Sequence, residues 1–377
     1  MRLLLSLLLL SQATAAEPLW PTSLGPLELQ APAPLPSLSA QTCNACHGAI
    51  HDQWGASGHA RASTSPAWLA ASAALGNPVR CQECHLPLLA QRAEIPRGPG
   101  AGAMAPNPAW EPSLGLEGVT CAACHVRGDA IVGPRALPAD AVPHKVVQSD
   151  ALRSAEACAF CHQQALPGGE EHPFLDTVGE WERSSFGQAN IPCQDCHMQR
   201  VSGPIAGSRF AAFASHGGLG DHDPAAIARA VTLQVRVQKA RFERGDTVRA
   251  TAEIMNTGAG HAVPSGDPNH RVAIQFELVD AAGELAKGTA PSVAWLKREM
   301  ANVAPFAEIS DERLQPGASR TFDAAWALDK KLEPGAYTLA VTATWWRVSP
   351  EQAEALGLTV EQASVRFVEQ RIPIEVN

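Results

Sequence analysis

The hydrophobic and polar positions divide the chain into regions with different rhythms. Met1-Arg2 lead into the apolar stretch Leu3–Leu10, followed by the small residues Ala13-Thr14-Ala15-Ala16. A short basic start, an apolar run too short to span a bilayer and a small-residue site predict a secretory signal peptide over 1–16. Residues 17–40 carry Pro18, Pro21, Pro26, Pro32, Pro34 and Pro36 and predict an extended, poorly ordered arm. From 41 to 228 no apolar period is sustained. Pieces such as His47–Trp54 suit short helices, and Gly55 and Gly58 would break that one.

The rhythm changes near Val231. Val231-Thr232-Leu233-Gln234-Val235-Arg236-Val237 alternates with period two, as a half-buried strand does. Similar runs cover Thr247–Met255, Arg271–Val279, Val293–Lys297, Arg320–Leu328, Ala336–Thr344 and Ser364–Glu375. Turn signals separate them at Arg244-Gly245-Asp246, Ala282-Gly283, Gln315-Pro316-Gly317 and Glu333-Pro334-Gly335. Seven short strands at this spacing predict an all-β, antiparallel immunoglobulin-like sandwich over 229–377, with Trp345 and Trp346 in its core or at its contact with the preceding domain.

Cysteine placement supplies the chemistry. All 10 cysteines fall in five C-x-x-C-H motifs: Cys43/Cys46/His47, Cys81/Cys84/His85, Cys121/Cys124/His125, Cys158/Cys161/His162 and Cys193/Cys196/His197. Two thiols at this spacing can bond the two vinyl groups of one porphyrin edge, and the next histidine can reach the iron. Zinc half-sites or redox disulfides compete. Neither requires a histidine after the second cysteine, and five half-sites leave one unmatched. The motifs therefore predict five covalently bound haem c groups within a loop-rich, mainly short-helical domain over 41–228, with His47, His85, His125, His162 and His197 as proximal ligands. Successive first cysteines lie 38, 40, 37 and 35 residues apart, a period that would keep neighbouring porphyrins close along the chain.

Composition agrees. The chain has 377 residues, a net charge of −9, only 5% aromatics, and 30 each of Gly and Pro. So few bulky side chains would fill a large core poorly, and porphyrins would supply the missing volume, tying folding to the cofactor. No basic stretch suggests nucleic acid, and after signal removal no transmembrane anchor remains.

Eight further histidines compete for the sixth position on each iron. The expected distal set is His59, His144, His216, His222 and His261. His59 follows helix-breaking glycines, and His144 follows Pro143. His216 and His222 flank a glycine run, with Asp221 or Asp223 placed to orient an imidazole. His261 sits in the loop Asn256–Gly266, where a purely structural sandwich needs no histidine, and so could reach a haem across the domain boundary. His51 reads as a packed neighbour or propionate partner, His172 as exposed and His270 as structural.

The segment around His59, Cys81-Gln82-Glu83-Cys84-His85-Leu86-Pro87, Glu117-Gly118-Val119-Thr120-Cys121-Ala122-Ala123-Cys124-His125 and Cys193-Gln194-Asp195-Cys196-His197-Met198 resemble the multihaem cytochrome c superfamily, which includes the tetrahaem cytochrome of ammonia oxidisers. Asn256–Gly266 resembles loops of multihaem proteins with a C-terminal β-sandwich. The resemblance covers about residues 40–270. It implies mostly bis-His, low-spin haems in stacked pairs that carry electrons, but no particular donor or acceptor. The expected partners are redox proteins, such as other cytochromes or quinol-linked membrane complexes, and the signal peptide predicts a periplasmic or otherwise exported location. The alternative is an oxidoreductase with one open haem acting on nitrite or hydroxylamine. Two marks of such enzymes are missing: no motif ends in Lys, and the only tyrosine, Tyr337, lies in the β region.

Overall fold

The computed structural model describes residues 20, 21, 24–98, 103–138, 141–165, 171–218, 220, 223–301 and 306–377. The predicted signal peptide over 1–16, with Asp221 and His222, lies outside them.

Short helices carry the motifs. The first, Ala40–Gly55, starts at the Ser39 N-cap, whose hydroxyl accepts from the Gln41 amide, and is kinked at His47 (φ −108°, ψ 39°). Gly55 ends it, as the glycine signal predicts. The other four motifs close the helices Val79–His85, Cys121–His125, Glu156–His162 and Cys193–His197, each with its histidine as last residue. C-x-x-C puts both thiols one turn apart on one side of the helix, and the histidine follows where the chain leaves it. This region also holds strand pairs, chiefly the hairpin of Arg200–Ala206 and Arg209–Ala214.

The proline-rich arm is better anchored than its composition suggests. Trp20, Leu27 and Leu38 are buried, and Leu27 bridges to Leu88. The Arg127 guanidinium lies 4.8 Å from the Trp20 ring centre. Apolar side chains between the prolines give the arm a surface to bury, so extension does not bring looseness.

Residues 231–376 form two sheets. In one, Thr247–Asn256 pairs antiparallel with Val231–Val237 on one side and Ser319–Ala327 on the other. In the other, six strands run in the order Arg241–Phe242, Ser364–Val376, Gly335–Trp346, Arg271–Val279, Ser292–Met300 and Glu308–Asp311. One apolar cluster draws on both: Val248, Ala252 and Ile254 from the first, Ile274, Phe276, Leu339 and Val341 from the second. The alternation along Thr247–Asn256 has its physical meaning here, with every second residue buried from Val248 to Asn256.

Two expectations need correction. The region is not all-β: helices Pro350–Ala355 and Val360–Ala363 sit between the last two strands, each begun by a capping box, Ser349 with Gln352 and Thr359 with Gln362. Nor is it wholly antiparallel, since Arg241–Phe242 runs parallel to Glu375–Val376. That strand is two residues long, too short for a period to show.

Leu339 is fully buried in the strand Gly335–Trp346, opposite Leu278. Leu339→Ala should cost about 2–5 kcal/mol of stability. Urea unfolding followed by circular dichroism would check this, and a loss under about 1 kcal/mol would contradict the core described.

Candidate functional site

The site is a set of imidazole pairs brought together from distant parts of the chain. The rings of His59 and His162 have centres 6.3 Å apart, those of His125 and His216 6.0 Å, and those of His197 and His261 6.1 Å. Each pair joins one motif histidine to one expected distal histidine.

These separations can be tested against a metal. A metal–imidazole bond is about 2.0–2.1 Å, and the ring centre lies roughly 1.1 Å beyond the nitrogen, so two rings on opposite sides of one ion have centres about 6.2–6.4 Å apart. One pair falls in that range, at 6.3 Å, and the other two lie just below it, at 6.0 and 6.1 Å. Among the described residues, no group of three or more His, Cys, Asp or Glu converges. Pairs rather than triads suit haem, where the porphyrin fills four positions and the protein supplies two.

For five of the rings, hydrogen bonds at Nδ1 leave Nε2 for such a role. The Nδ1 atoms of His47, His85 and His125 face the carbonyls of Ile205 (2.5 Å), Ala62 (2.6 Å) and Val132 (2.9 Å). Those of His216 and His261 face the carbonyls of Ala214 (2.8 Å) and Ala262 (3.0 Å). A ring donating from Nδ1 to a carbonyl keeps a lone pair on Nε2, the tautomer a metal ligand needs. Electrostatics favour the same state. His162 is pushed down to about 4 by burial among protein atoms and by His59, His197, His261 and His85. His216 is pushed down to about 4 by burial and by His125 and His47. Burial is also the leading cause of the downward shifts of His85, His125 and His261.

The thiols form a second network. All ten cysteines are free. The thiols of Cys43 and Cys121, of Cys84 and Cys161, and of Cys158 and Cys193 are close enough to influence each other's protonation. Cys124 is an electrostatic neighbour of Cys158 and Cys161. The first motif therefore adjoins the third, and the fourth adjoins the second, third and fifth. The even sequence period suggests consecutive order, but the chain folds back so that the first and second motifs each meet the next but one.

The five motifs are also less alike than their shared spelling implies, and Cys46 and Cys196 stand apart. Both are exposed, whereas the other eight cysteines are half-buried. Cys43 turns inward to Cys121, but Cys46 joins none of the thiol contacts above. It lies directly before the kink at His47, and its carbonyl accepts from the Gly207 amide in the turn of the hairpin at 2.9 Å. The backbone at Cys46 is thus fixed while the residue stays at the surface. A thioether at Cys46 or Cys196 would sit at a solvent-facing porphyrin edge.

Specific contacts hold the pairing segments. Glu117 accepts from the Ala40 amide (2.7 Å) and from the Ser39 (2.5 Å) and Thr120 (3.0 Å) hydroxyls, tying the first motif's helix to the segment before the third. Gly118 adopts φ +57°, and a Cβ there would stand 2.4 Å from the His59 carbonyl oxygen. Glycine is needed at that position for its backbone angle and for the close approach. It lets Val119 N–H donate to the His59 carbonyl at 2.9 Å. The segment so held presents His59 to His162 and the Ala62 carbonyl to His85.

His261 is clamped from both sides of the boundary. The Asn256 side-chain amide donates to the His261 carbonyl (2.8 Å) and to that of Leu314 (3.2 Å). Glu180, on the helix Thr177–Arg183, accepts from the Ala262 amide (3.0 Å), the Ser265 hydroxyl (2.6 Å) and Arg313 Nη1 (2.6 Å). The Glu180 and Arg313 side chains are only 2% and 6% exposed, and Asp311 shares the guanidinium at 2.7 Å. Sequence reading passed over both. Neither falls in a motif, and only the fold brings 180 beside 313.

The remaining expected residues are placed differently. His144 pairs with no ring, and its buried Nδ1 has no hydrogen-bond partner. His222 lies outside the described residues. His51 bonds Gln41 Nε2 at 3.0 Å, as a packed neighbour would. His172 is exposed, 3.9 Å from Glu308. His270 faces the Ser265 carbonyl and lies 5.3 Å from the Trp345 ring. His85 is stacked against the Trp68 indole, with centres 4.9 Å apart and planes 17° from parallel.

The chain matches no protein-family model and no curated protein. Among solved structures it is similar to a penta-heme cytochrome c552 from Thermochromatium tepidum, with 20% identity, a TM-score of 0.62 and coverage of 89% of this chain and 98% of that one. At that identity the likeness is one of fold. A CARDB domain of the PF1109 protein from Pyrococcus furiosus aligns over 39% of this chain with 11% identity and a TM-score of 0.22, too loose to carry an argument.

Two outcomes follow. Glu180→Ala leaves the Ala262 amide and the Ser265 hydroxyl without their acceptor and Arg313 with Asp311 alone, and should cost about 1–3 kcal/mol, read from chemical denaturation. For pH, in the chain without iron, the folded state binds protons at His162 and His216 less readily than the unfolded state, whose histidines titrate near about 6.5. Their contribution is full above about pH 6.5 and is lost as pH falls toward 4. A stability titration should show this slope, and His216→Gln should flatten it; an identical slope in the variant would count against the shift.

Proposed function

We propose that the chain is an exported pentahaem c-type cytochrome that passes electrons between redox partner proteins. The observation that carries this reading is the spacing of the three imidazole pairs, 6.0–6.3 Å, which fits an iron between each pair. In this reading the ten motif cysteines hold five porphyrins by thioether bonds, with Cys46 and Cys196 at exposed edges where a partner could approach. His47, His85, His125, His162 and His197 are proximal ligands. His162 takes His59 as its distal partner, His125 takes His216 and His197 takes His261. His144, with its orphaned buried nitrogen, remains a distal candidate, and so does His222. The fold likeness to a penta-heme cytochrome c552 supports the same reading.

Haem iron, when bound, supplies a one-electron couple between ferric and ferrous states. The chain's residues do the rest. Backbone carbonyls fix the ring tautomers, burial keeps the imidazoles neutral, and two ring ligands favour the ferric state and a low potential. The thiol contacts place motifs one and three, and two, four and five, close enough for short electron hops. Among the described residues no helix is long and apolar enough to cross a membrane. Export rests on residues 1–16, and a mature mass starting after Ala15 or Ala16 would test it.

One observation favours a second reading. Among the described residues no imidazole pairs with His85, whose ring face is covered by the Trp68 indole. An iron at the second motif left open on one side would suit an oxidoreductase acting on nitrite or hydroxylamine.

Electron paramagnetic resonance of the oxidised protein separates the two. A carrier shows only low-spin ferric signals, whereas an enzyme shows a high-spin signal that shifts with nitrite or hydroxylamine. His261→Ala should turn one iron in five high-spin while intact mass still reports five haems. An unchanged low-spin spectrum would remove His261 from the ligand set, and a colourless product would end the reading.

A further inference from the structure

Arg92 is a buried cation without a counter-ion. Its residue is 2% exposed. The Nε–H donates to the Leu86 carbonyl at 3.0 Å, directly after the second motif's histidine, while the buried Nη2 has no hydrogen-bond partner. Among the described residues no carboxylate lies within ion-pair distance of it. Glu83 and Cys84 act on it only through their electrostatic field. A guanidinium removed from water and left half unsatisfied is strongly disfavoured unless an anion completes it, and its planar fork matches a carboxylate.

We propose that Arg92 binds a carboxylate of a porphyrin held in the cluster of the second and fourth motifs, whose thiols Cys84 and Cys161 meet. The inference rests on the haem reading above and adds a residue outside every motif. The ligand is a carboxylate carried on the cofactor, and the available donor is Nη2. The Nε bond to Leu86 fixes the plane of the guanidinium beside His85. The bound carboxylate would be neutralised by a fixed charge, raising the potential of that one iron, because a nearby cation disfavours the ferric form. A small soluble anion would meet the same chemistry, and the test separates the two sources.

The experiment is a spectroelectrochemical titration of the fully loaded protein and of Arg92→Gln and Arg92→Lys. Both variants lose the bond to Leu86, but only Gln loses the charge. Arg92→Gln should move one of five components to lower potential and leave four in place. Arg92→Lys should move the same component less. Equal shifts in the two variants would make Arg92 merely structural and overturn the proposal. So would unchanged potentials in either variant that retains five haems by mass. Added formate or nitrite should leave the wild-type component where it is. A component that follows the added anion would assign Arg92 to a soluble ligand instead. Wild-type protein with no covalent haem by mass would overturn the cytochrome reading and this inference together, whereas unchanged potentials with five haems overturn only the inference.

Discussion

Two imidazole rings about 6 Å apart, on segments far apart in sequence, are the constraint the rest of the structure answers to. Such a pair cannot be made locally. A helix presents neighbours three and four residues on, and a strand alternates its faces, but neither turns two rings toward one point between them. His59 meets His162, His125 meets His216 and His197 meets His261 only because three separate devices hold their segments. A position error of 1 Å would spoil any of them as a metal site.

The devices share a logic. A buried acidic or amide side chain accepts or donates several bonds to backbone at the point where the segment must be fixed. Glu117 does this for the first motif's helix and Glu180 for the His261 loop; Asn256 secures the same loop from the β side. Glycines fill the places where backbones come too close for a Cβ. Gly118 lies against the His59 carbonyl, and Gly260 lies where a Cβ would be 3.1 Å from Phe186. These residues matter as much as the histidines they hold, because an imidazole on an unfixed loop loses the orienting bond on its Nδ1.

The contrast between what the sequence shows and what it hides follows from range. The five motif helices, the break at Gly55 and the strands from Val231 onward are local signals and are readable as such. Arg271–Val279 has the same limits in sequence and structure. His59, His216 and His261 stand out because glycines or domain context surround them, though no local signal assigns them to His162, His125 and His197. The adjacency of motif one to three and of two to four is likewise invisible, since an even period looks the same however the chain folds back. For the same reason five identical spellings hide the exposed setting of Cys46 and Cys196. The anchored proline-rich arm, the parallel strand at Arg241–Phe242 and the Glu180–Arg313 pair depend on partners many residues away. The orphaned nitrogens of Arg92 and His144 emerge only when every other polar group has been given its partner.

The β region acquires a purpose from the same constraint. A loop-rich chain with few aromatics cannot hold the second ring of its fifth motif rigidly by itself. The two sheets, with a shared apolar core, offer a stiff base from which the loop after Thr247–Asn256 projects His261 toward His197. Arg313 and Asn256, both set by that base, secure the loop, and Glu180 joins it to the motif region through one buried ion pair. Relative movement of the two parts is then coupled to the geometry of a single ring pair, His197–His261. Loosening Glu180 should first disturb the His197–His261 pair and leave His125–His216, held by Gln53 and the Arg200–Ala214 hairpin, undisturbed.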